Sequence, residues 1–216
     1  MLNRQTESGK FTRLQRLRGS MAALFLLCAA GVSLAQPVII EGDRNLTGQL
    51  LVAAPEMKDP NFSKTVIYMI EHSAGGAMGL VINRPLAKGP ISDLMKGLGA
   101  GSEEISGEII LHAGGPVEPG RAFVLHSDDY ADKRTTVVGG GVALTTDVEI
   151  VRAIGQGKGP RRSIFILGFA GWAPGQLEAE IKAGAWFSIA ADEKLIFEGD
   201  PATMWERAAA RRKVKT

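Results

Sequence analysis

Three histidines are the side chains of this sequence best suited to acid–base or metal chemistry. His72, His112 and His126 each stand at the end of a strand-like run. If those strands were neighbours, neutral imidazoles could converge on zinc, copper or nickel, and Glu71 or Asp128 could add a carboxylate. Their separations match no known ligand spacing, and histidines at strand ends often occupy plain turns. They suggest a hydrolase or metalloenzyme as one alternative, but we predict no metal site.

Two loop motifs carry groups that could bind an anion. In Asn83-Arg84-Pro85, the Arg84 guanidinium is a rigid fork of donors suited to a carboxylate or phosphate, and Pro85 fixes where the chain leaves the preceding strand. Gly114-Gly115-Pro116 could bring bare backbone N–H groups close to a ligand. Each motif also has a structural interpretation: Arg84 could brace a loop through an ion pair, and the glycines could form a tight turn with positive φ.

A third candidate lies where a strand passes through a glycine turn into a helix, in the run GFAGWAPGQLE at residues 168–178. A helix N-terminus favours anions, Trp172 offers a stacking face and Gln176 a bidentate amide. Alternatively, Glu178 satisfies the helix dipole and Trp172 belongs to the core. Pro174 fits the first turn of the helix.

The sequence lacks the established catalytic signatures. It contains no Gly-x-Ser-x-Gly elbow, no Walker loop, no His-Glu-x-x-His and no EF-hand. Its single cysteine, Cys28, excludes an internal disulfide framework and a cysteine-based zinc site. Motif-bearing hydrolases and NTPases are therefore disfavoured, and we predict no cofactor.

Charge is distributed unevenly along the 216 residues. Residues 1–35 carry five basic residues and one acid, and residues 207–216 carry five basic residues and no acid. Between them, residues 36–206 carry 15 basic and 22 acidic residues, a net charge of −7. Wide phosphate-backbone binding needs clustered Lys and Arg, so we expect no direct nucleic-acid binding.

The N-terminus has the pattern of an export signal. Arg13, Arg16 and Arg18 precede an apolar run at residues 21–32, and Ser33-Leu34-Ala35 places small residues where signal peptidase requires them. The apolar stretch would span roughly 22 Å as a helix, short of the ~30 Å hydrocarbon core. If the segment is a signal peptide, cleavage falls after Ala35; the alternative is that the true start site lies further downstream. In either case we predict no permanent membrane span.

Short strand-like and helix-like runs alternate in the body of the chain and would position these residues. The strand predictions are 50–53, 64–70, 77–83, 108–112, 121–126, 163–169, a hairpin around 139–141 and a final hairpin of 186–190 with 194–198. Helices are predicted at 91–98 with Ser92 as N-cap, after the capping box that begins at Thr146, after Pro174, and after Asp200-Pro201. The pattern favours one compact α+β domain at residues 46–208, after a linker at 36–45 and before a basic tail at 209–216.

From about Leu46 to Arg207, the chain resembles the YqgE/AlgH family of bacterial proteins. The resemblance rests on Gly48-Gln49-Leu50-Leu51, Asp59-Pro60, Glu71-His72, Gly76-Ala77-Met78-Gly79, Asn83-Arg84-Pro85, Gly114-Gly115-Pro116, Gly171-Trp172 and Gly175-Gln176-Leu177-Glu178. It implies one α+β domain with a mixed, partly barrel-like sheet flanked by helices, and neither an enzyme activity nor a cofactor. Family members are generally cytosolic, so the location is periplasmic if the signal-like segment is used and cytoplasmic otherwise.

Our leading hypothesis is a non-enzymatic binding or regulatory protein, whose partner is a protein or a small anionic ligand. Its recognition surface would comprise Asn83, Arg84, Gly114, Gly115, His126, Trp172, Gln176 and Glu178, since loops at strand ends and helix starts present ligand contacts. Replacing Arg84 and Trp172 by alanine is expected to abolish partner capture with thermal stability nearly unchanged. The alternative is a small hydrolase, metal-dependent or metal-free, that uses His72, His112 or His126.

Overall fold

Ten strands and five helices make up the part of the chain that the computed structural model describes, residues 45–100 and 105–212. The strands are β1 (Gln49–Ala53), β2 (Val66–Ser73), β3 (Gly76–Val81), β4 (Pro85–Pro90), β5 (Glu108–Ala113), β6 (Val117–Ser127), β7 (Thr135–Gly139), β8 (Val142–Thr145), β9 (Ser163–Trp172) and β10 (Trp186–Ala190). The helices are α1 (Ile91–Gly97), α2 (Val148–Gly155), α3 (Gln176–Lys182), α4 (Glu193–Phe197) and α5 (Pro201–Ala209). The predicted signal peptide, most of the predicted linker and the end of the basic tail lie outside the described residues.

Strand β9 organises the sheet because it pairs with three other strands. It is antiparallel to β6 and β3 and parallel to β5. From β3 the sheet continues through β2 and β1 to β10, and from β6 it continues through β8 to β7. Strand β4 pairs with β5 alone, so these two strands form a side branch.

The sheet curls until β7, at one end, reaches strand β2. Although β2 and β7 are distant in the strand order, the Tyr68 hydroxyl donates a 2.8 Å hydrogen bond to the Gly139 carbonyl. Tyr68 is fully buried, which raises the pKa of its phenol and keeps it a donor. The curled sheet is a half-barrel, which confirms the expected α+β fold with a mixed, partly barrel-like sheet and flanking helices.

Central strands are buried on both faces. In β1, Leu50 and Val52 belong to the core that the curl encloses, whereas Leu51 and Ala53 belong to a second core on the opposite face. This alternation follows from the two-residue period of a strand. Helices α4 and α5 cover the first core, α3 covers the second, and α1 and α2 pack on a third core with β5, β6 and β9. No helix among the described residues is long and apolar enough to cross a membrane.

At the helix starts, one local prediction is confirmed and three need correction. Asp200 caps α5 as expected, because its side chain accepts from the Ala202 N–H. The cap of α2 is Asp147, not Thr146, since the Asp147 carboxylate accepts from Glu149. Ser92 lies inside α1, whose first flanking residue is Pro90 without a side-chain cap. Pro174 precedes α3, which begins after Gly175 in the left-handed conformation.

One prediction of element type was wrong, and one strand was not predicted. Residues 194–198 were expected to form a hairpin with 186–190, but they lie largely in helix α4, capped by Asp192, while β10 pairs with β1. The strand ending before Pro85 was not expected to be followed by another, yet β4 begins at Pro85 itself. Proline is tolerated there because β4 is an edge strand that pairs on one side only.

Candidate functional site

Asn83 and Arg84 hold the loop between β1 and β2 by its carbonyl oxygens. The Arg84 guanidinium donates to the carbonyls of Pro60 and Ser63 at 3.0 and 3.1 Å. The Asn83 side chain donates to the Lys64 carbonyl at 2.9 Å and accepts from the Val66 N–H at 2.9 Å. We call this arrangement the loop clamp. Arg84 thus braces a loop as the structural interpretation expected, but through carbonyl groups.

Phe62 anchors the other side of the clamped loop. Its ring stacks on Trp172 at a centroid distance of 6.5 Å and meets Trp186 edge-on at 5.5 Å. The two indoles are themselves in edge-to-face contact at 6.0 Å. Aromatic pairs at such distances add stability beyond the area they bury. The loop is therefore fixed both by hydrogen bonds and by an aromatic anchor.

Glu180 ties the two indoles to helix α3. Its Oε2 accepts from the Trp172 and Trp186 N–H groups at 3.0 and 2.8 Å, and its Oε1 accepts from the Gln176 amide at 2.9 Å. The side-chain oxygen Oε1 of Gln176 in turn accepts from the Ala173 N–H. Gln176 therefore serves an internal network in this structure. Sequence reasoning missed Glu180, and its i, i+4 spacing from Gln176 is the signal that could have found it.

Glu178 is bound by a buried histidine. His72 Nδ1 accepts from the Leu46 N–H at 3.1 Å, so the ring proton lies on Nε2, which donates to Glu178 Oε1 at 2.7 Å. A hydrogen bond from its own backbone N–H, together with the bond from His72, lowers the pKa of Glu178. This carboxylate stays ionised while fastening α3 to β2.

Gly114 and Gly115 are required by a close crossing of two backbones. A Cβ on Gly114 would lie 2.2 Å from the Gly168 carbonyl oxygen, and one on Gly115 would lie 2.2 Å from the Phe169 carbonyl carbon. Gly114 also donates its N–H to the Leu167 carbonyl at 2.7 Å, so this N–H is not presented to a ligand. Gly115 has φ of +149°, within the region that disfavours side chains.

Seven of the eight predicted site residues lie in one connected region. The Ala113 N–H donates to the Arg84 carbonyl at 2.8 Å, which links the glycine crossing to the loop clamp. The clamp connects through Phe62 to Trp172, and Trp172 connects through Glu180 to Gln176. Glu178 lies on the same helix.

His126 lies elsewhere. His126 pairs with Ser163, the first residue of β9, whereas Trp172 is the last residue of that strand. Nine residues of strand separate Ser163 from Trp172, a distance of roughly 30 Å. The ring is fully buried, with Nδ1 donating to the Ser127 carbonyl at 2.8 Å and Nε2 accepting from the Thr145 hydroxyl at 2.9 Å. Burial lowers the pKa of His126, although nearby aspartates oppose the shift.

The three histidines do not form a common centre in the described residues, which contain no group of three His, Cys, Asp or Glu placed to hold a metal. His72 and His126 use both ring nitrogens in hydrogen bonds to the protein. His112 differs, because its Nδ1 is buried without a hydrogen-bond partner among those residues. The hydrolase alternative therefore depends on His112.

Trp172 is a core residue, only 7% exposed, and belongs to the second core together with Trp186 and Leu177. Truncating a buried tryptophan typically costs about 3–5 kcal/mol of unfolding free energy. The expectation that Trp172→Ala leaves stability nearly unchanged therefore does not hold. Arg84, which is half-buried, remains the informative position for substitution.

The comparisons with known proteins agree with one another. Residues 50–216 match the family described as AlgH-like. A UPF0301 protein of Methylococcus capsulatus is 45% identical over 172 residues, covering 80% of this chain and 94% of that protein. The solution structure of the AlgH protein from Pseudomonas aeruginosa is 37% identical, with a TM-score of 0.66 over 80% of this chain and 92% of that one. A crystal structure from Corynebacterium diphtheriae, 21% identical, shares the fold with a TM-score of 0.63, over 80% and 90% of the two chains.

Proposed function

We propose that this chain, which belongs to the AlgH-like family, is a non-enzymatic binding protein that presents its β1–β2 loop to a partner protein. The observation that carries the proposal is the loop clamp. Asn83 and Arg84 together bind three loop carbonyls that a free loop would leave to water, those of Pro60, Ser63 and Lys64. A loop fixed before binding loses less conformational entropy when a partner docks.

The loop exposes its side chains while its backbone is held. Those exposed include Glu56, Lys58, Asp59, Asn61 and Lys64. Two are cations and two are anions, a mixed polar surface typical of protein–protein contact rims. Lys64 has φ of 55°, which for a non-glycine residue is uncommon and is maintained here by the Asn83 bond to its carbonyl. The surroundings thus impose a specific shape on the loop.

The hydrogen bonds of Glu178, Glu180 and His72 support a binding role over catalysis. The acceptor oxygens of Glu180 and the Oε1 of Glu178 are taken by indole, amide and imidazole donors. A general base must reach the proton it abstracts, and His72 has both ring nitrogens engaged. These residues instead hold helix α3 and the two indoles that contact Phe62 of the loop.

Site-specific photo-crosslinking in the host cell tests the proposal. A photoreactive amino acid is placed at exposed Asn61 in the loop and, as a matched control, at exposed Glu206 on helix α5. We expect the loop position to give one dominant protein adduct of fixed mass that the α5 position does not give. No adduct from position 61, or the same set of adducts from both positions, would refute the proposed role of the loop.

A further inference from the structure

The outer edge of strand β10 is a second feature, separate from the loop clamp. In the part of the chain that the structure describes, β10 pairs with β1 alone and ends the sheet on that side. An open groove of about 550 Å³ follows this edge, and its lining comprises residues 187–190, Gln49 of β1, and Arg211 and Arg212 just beyond α5. A free sheet edge is a template for pairing with another strand, and native proteins usually cover or charge it.

The register of β1 and β10 determines which backbone groups face the groove. The Ala54 N–H donates to the Ala185 carbonyl at 2.9 Å, in the same register as the rest of the pair. Hydrogen-bonded and non-hydrogen-bonded positions alternate along an antiparallel pair, so the odd-numbered residues of β10 bond to β1. The N–H and C=O groups of Ser188 and Ala190 therefore point away from β1, and both residues are exposed. These groups are available to a further strand.

Two arginines make the groove positively charged. Arg212 lies over the Phe187 ring at 4.9 Å, and no acidic side chain of the described residues pairs with it. Arg211 pairs with Asp192 at 2.9 Å but keeps 44% of its side chain exposed. The described residues that line the groove include no Asp or Glu. An extended segment that carries carboxylates therefore matches both the hydrogen-bonding edge and the charge.

A second copy of β10 matches this edge poorly. Two copies paired antiparallel about a two-fold axis would meet at Ser188, the middle residue of the strand. Arg212 lies beside Phe187, the neighbour of Ser188, so the two copies would bring their Arg212 side chains together. Like charges placed opposite each other across a strand pair are destabilising.

The residues directly before the described chain carry the chemistry that the groove requires. The sequence Ile39-Ile40-Glu41-Gly42-Asp43-Arg44 joins two β-branched residues, which favour strands, to two carboxylates. The described chain begins at Asn45, whose carbonyl accepts from Gln49 Nε2 at 3.2 Å, so it begins beside the groove. A strand added to β10 would lie two strand spacings from β1, about 10 Å, and four residues of extended chain reach ~13 Å.

We propose that residues 39–41 pair with the free edge of β10 as a short parallel strand, with the carboxylates of Glu41 and Asp43 beside the two arginines of the groove. The direction follows from the connection to β1, because the segment must finish near Ala190, where β10 also finishes. A segment of the same chain binds at a high effective concentration, which compensates for its few contacts. The paired edge is then closed to other strands.

Hydrogen exchange of single amides in the full chain, followed by ¹H–¹⁵N NMR, tests the proposal. The Ser188 and Ala190 amides should exchange about tenfold or more slowly in the unaltered protein than in Glu41→Lys/Asp43→Lys, since that variant loses one to two net hydrogen bonds. The amides of residues 187 and 189 bond to β1, so their exchange should be the same in both proteins. Glu71→Lys/Asp93→Lys is the matched control, because it reverses two exposed acids that do not line the groove.

A charge swap separates direct pairing from an indirect effect of the substitutions. Adding Arg212→Glu to the Glu41→Lys/Asp43→Lys protein restores an opposite charge, so exchange at Ser188 and Ala190 should slow again. Fast exchange of both amides in the unaltered chain would overturn the proposal and leave the edge open to a partner's strand. Slow exchange that persists in Glu41→Lys/Asp43→Lys, no recovery after the swap, or protection that rises with protein concentration, as a second copy would produce, would each overturn it too.

Discussion

At the scale of single residues, polar side chains around helix α3 are hydrogen-bonded to other groups of the protein. Glu180 is the clearest case, because one carboxylate accepts from two indoles and an amide. Both indoles are buried, and an indole N–H deprived of its acceptor in a core cannot turn to water. The stability of the packing between helix α3, Trp172 and Trp186 should therefore depend on Glu180.

Replacing Glu180 by alanine should lower the free energy of unfolding by about 2–3 kcal/mol, since two buried donors lose a charged acceptor. Glu180→Gln keeps a carbonyl oxygen and should lose less. Urea unfolding followed by tryptophan fluorescence measures both variants, with Glu206→Ala, an exposed position on α5, as the control. Equal stability of Glu180→Ala and Glu206→Ala would mean that the network contributes nothing.

Gly114→Ala should prevent stable folding or lower the unfolding free energy by several kcal/mol, because its Cβ would lie 2.2 Å from the Gly168 carbonyl oxygen. Gly97→Ala is the matched substitution, since nothing lies within 4 Å of its Cβ position at the end of α1. That change should be neutral or stabilise by up to about 1 kcal/mol. Thermal unfolding of both proteins provides the test, and a well-folded Gly114→Ala protein would contradict the close crossing.

Residue types and spacing in the sequence did not reveal the hydrogen-bond partners of the candidate site residues. The sequence placed Trp172, Gln176 and Glu178 at a strand-to-helix turn, as the structure does, while their predicted role in recognition stays a prediction. Their partners, however, come from distant segments: His72 is 106 residues from Glu178. Only the pairing of β2 with β3 and of β3 with β9 brings these segments together. For the same reason, nothing in the sequence separated His126 from the other predicted residues.

At the scale of elements, short apolar runs were the main source of error. Residues 194–198 carry Leu195, Ile196 and Phe197 in succession, a pattern that fits a strand or one buried helical turn equally well. The helix forms because the Asp192 side chain accepts from the Lys194 N–H, and because Leu195 and Ile196 both enter the core. Strands β1, β2 and β9, which are longer or bounded by clear turn residues, were placed correctly to within a few residues.

The cap of α4 offers a test at this scale. Asp192→Ala removes the bond to the Lys194 N–H and an ion pair with Arg211 at 2.9 Å, so it should lower the unfolding free energy by about 0.5–2 kcal/mol. Asp93→Ala, in the first turn of α1 but outside a cap, should change it by less than about 0.5 kcal/mol. Chemical denaturation of the two variants decides, and no loss for Asp192→Ala would show that α4 is fixed by burial alone.

At the scale of the whole molecule, two buried histidines couple stability to pH. Burial lowers the pKa of His112 and of His126 below the ordinary value of 6.5. Below pH 6.5 the unfolded chain therefore binds more protons than the folded one, so stability falls as the pH falls. The lowered carboxylate pKa values of Asp129, Asp192 and Glu178 act in the same direction, but only below about pH 4.5.

Unfolding free energy should thus decrease between pH 7.5 and pH 5.5, by at most about 1.4 kcal/mol for each of the two histidines. His112→Phe removes one of the titrating groups, so its decrease over the same range should be smaller than in the unaltered protein. Urea titrations at both pH values measure the difference. A flat profile, or the same decrease in the variant, would show that these rings are not held neutral by burial.

The central claim is that Arg84 fixes the loop that meets the partner. The most direct measurement is the yield of the crosslinked adduct from position 61 in the Arg84→Ala protein. Loss of two hydrogen bonds to the loop should reduce that yield about tenfold. Near-native thermal unfolding would confirm that the protein remains folded. An undiminished yield in the folded variant would contradict the account.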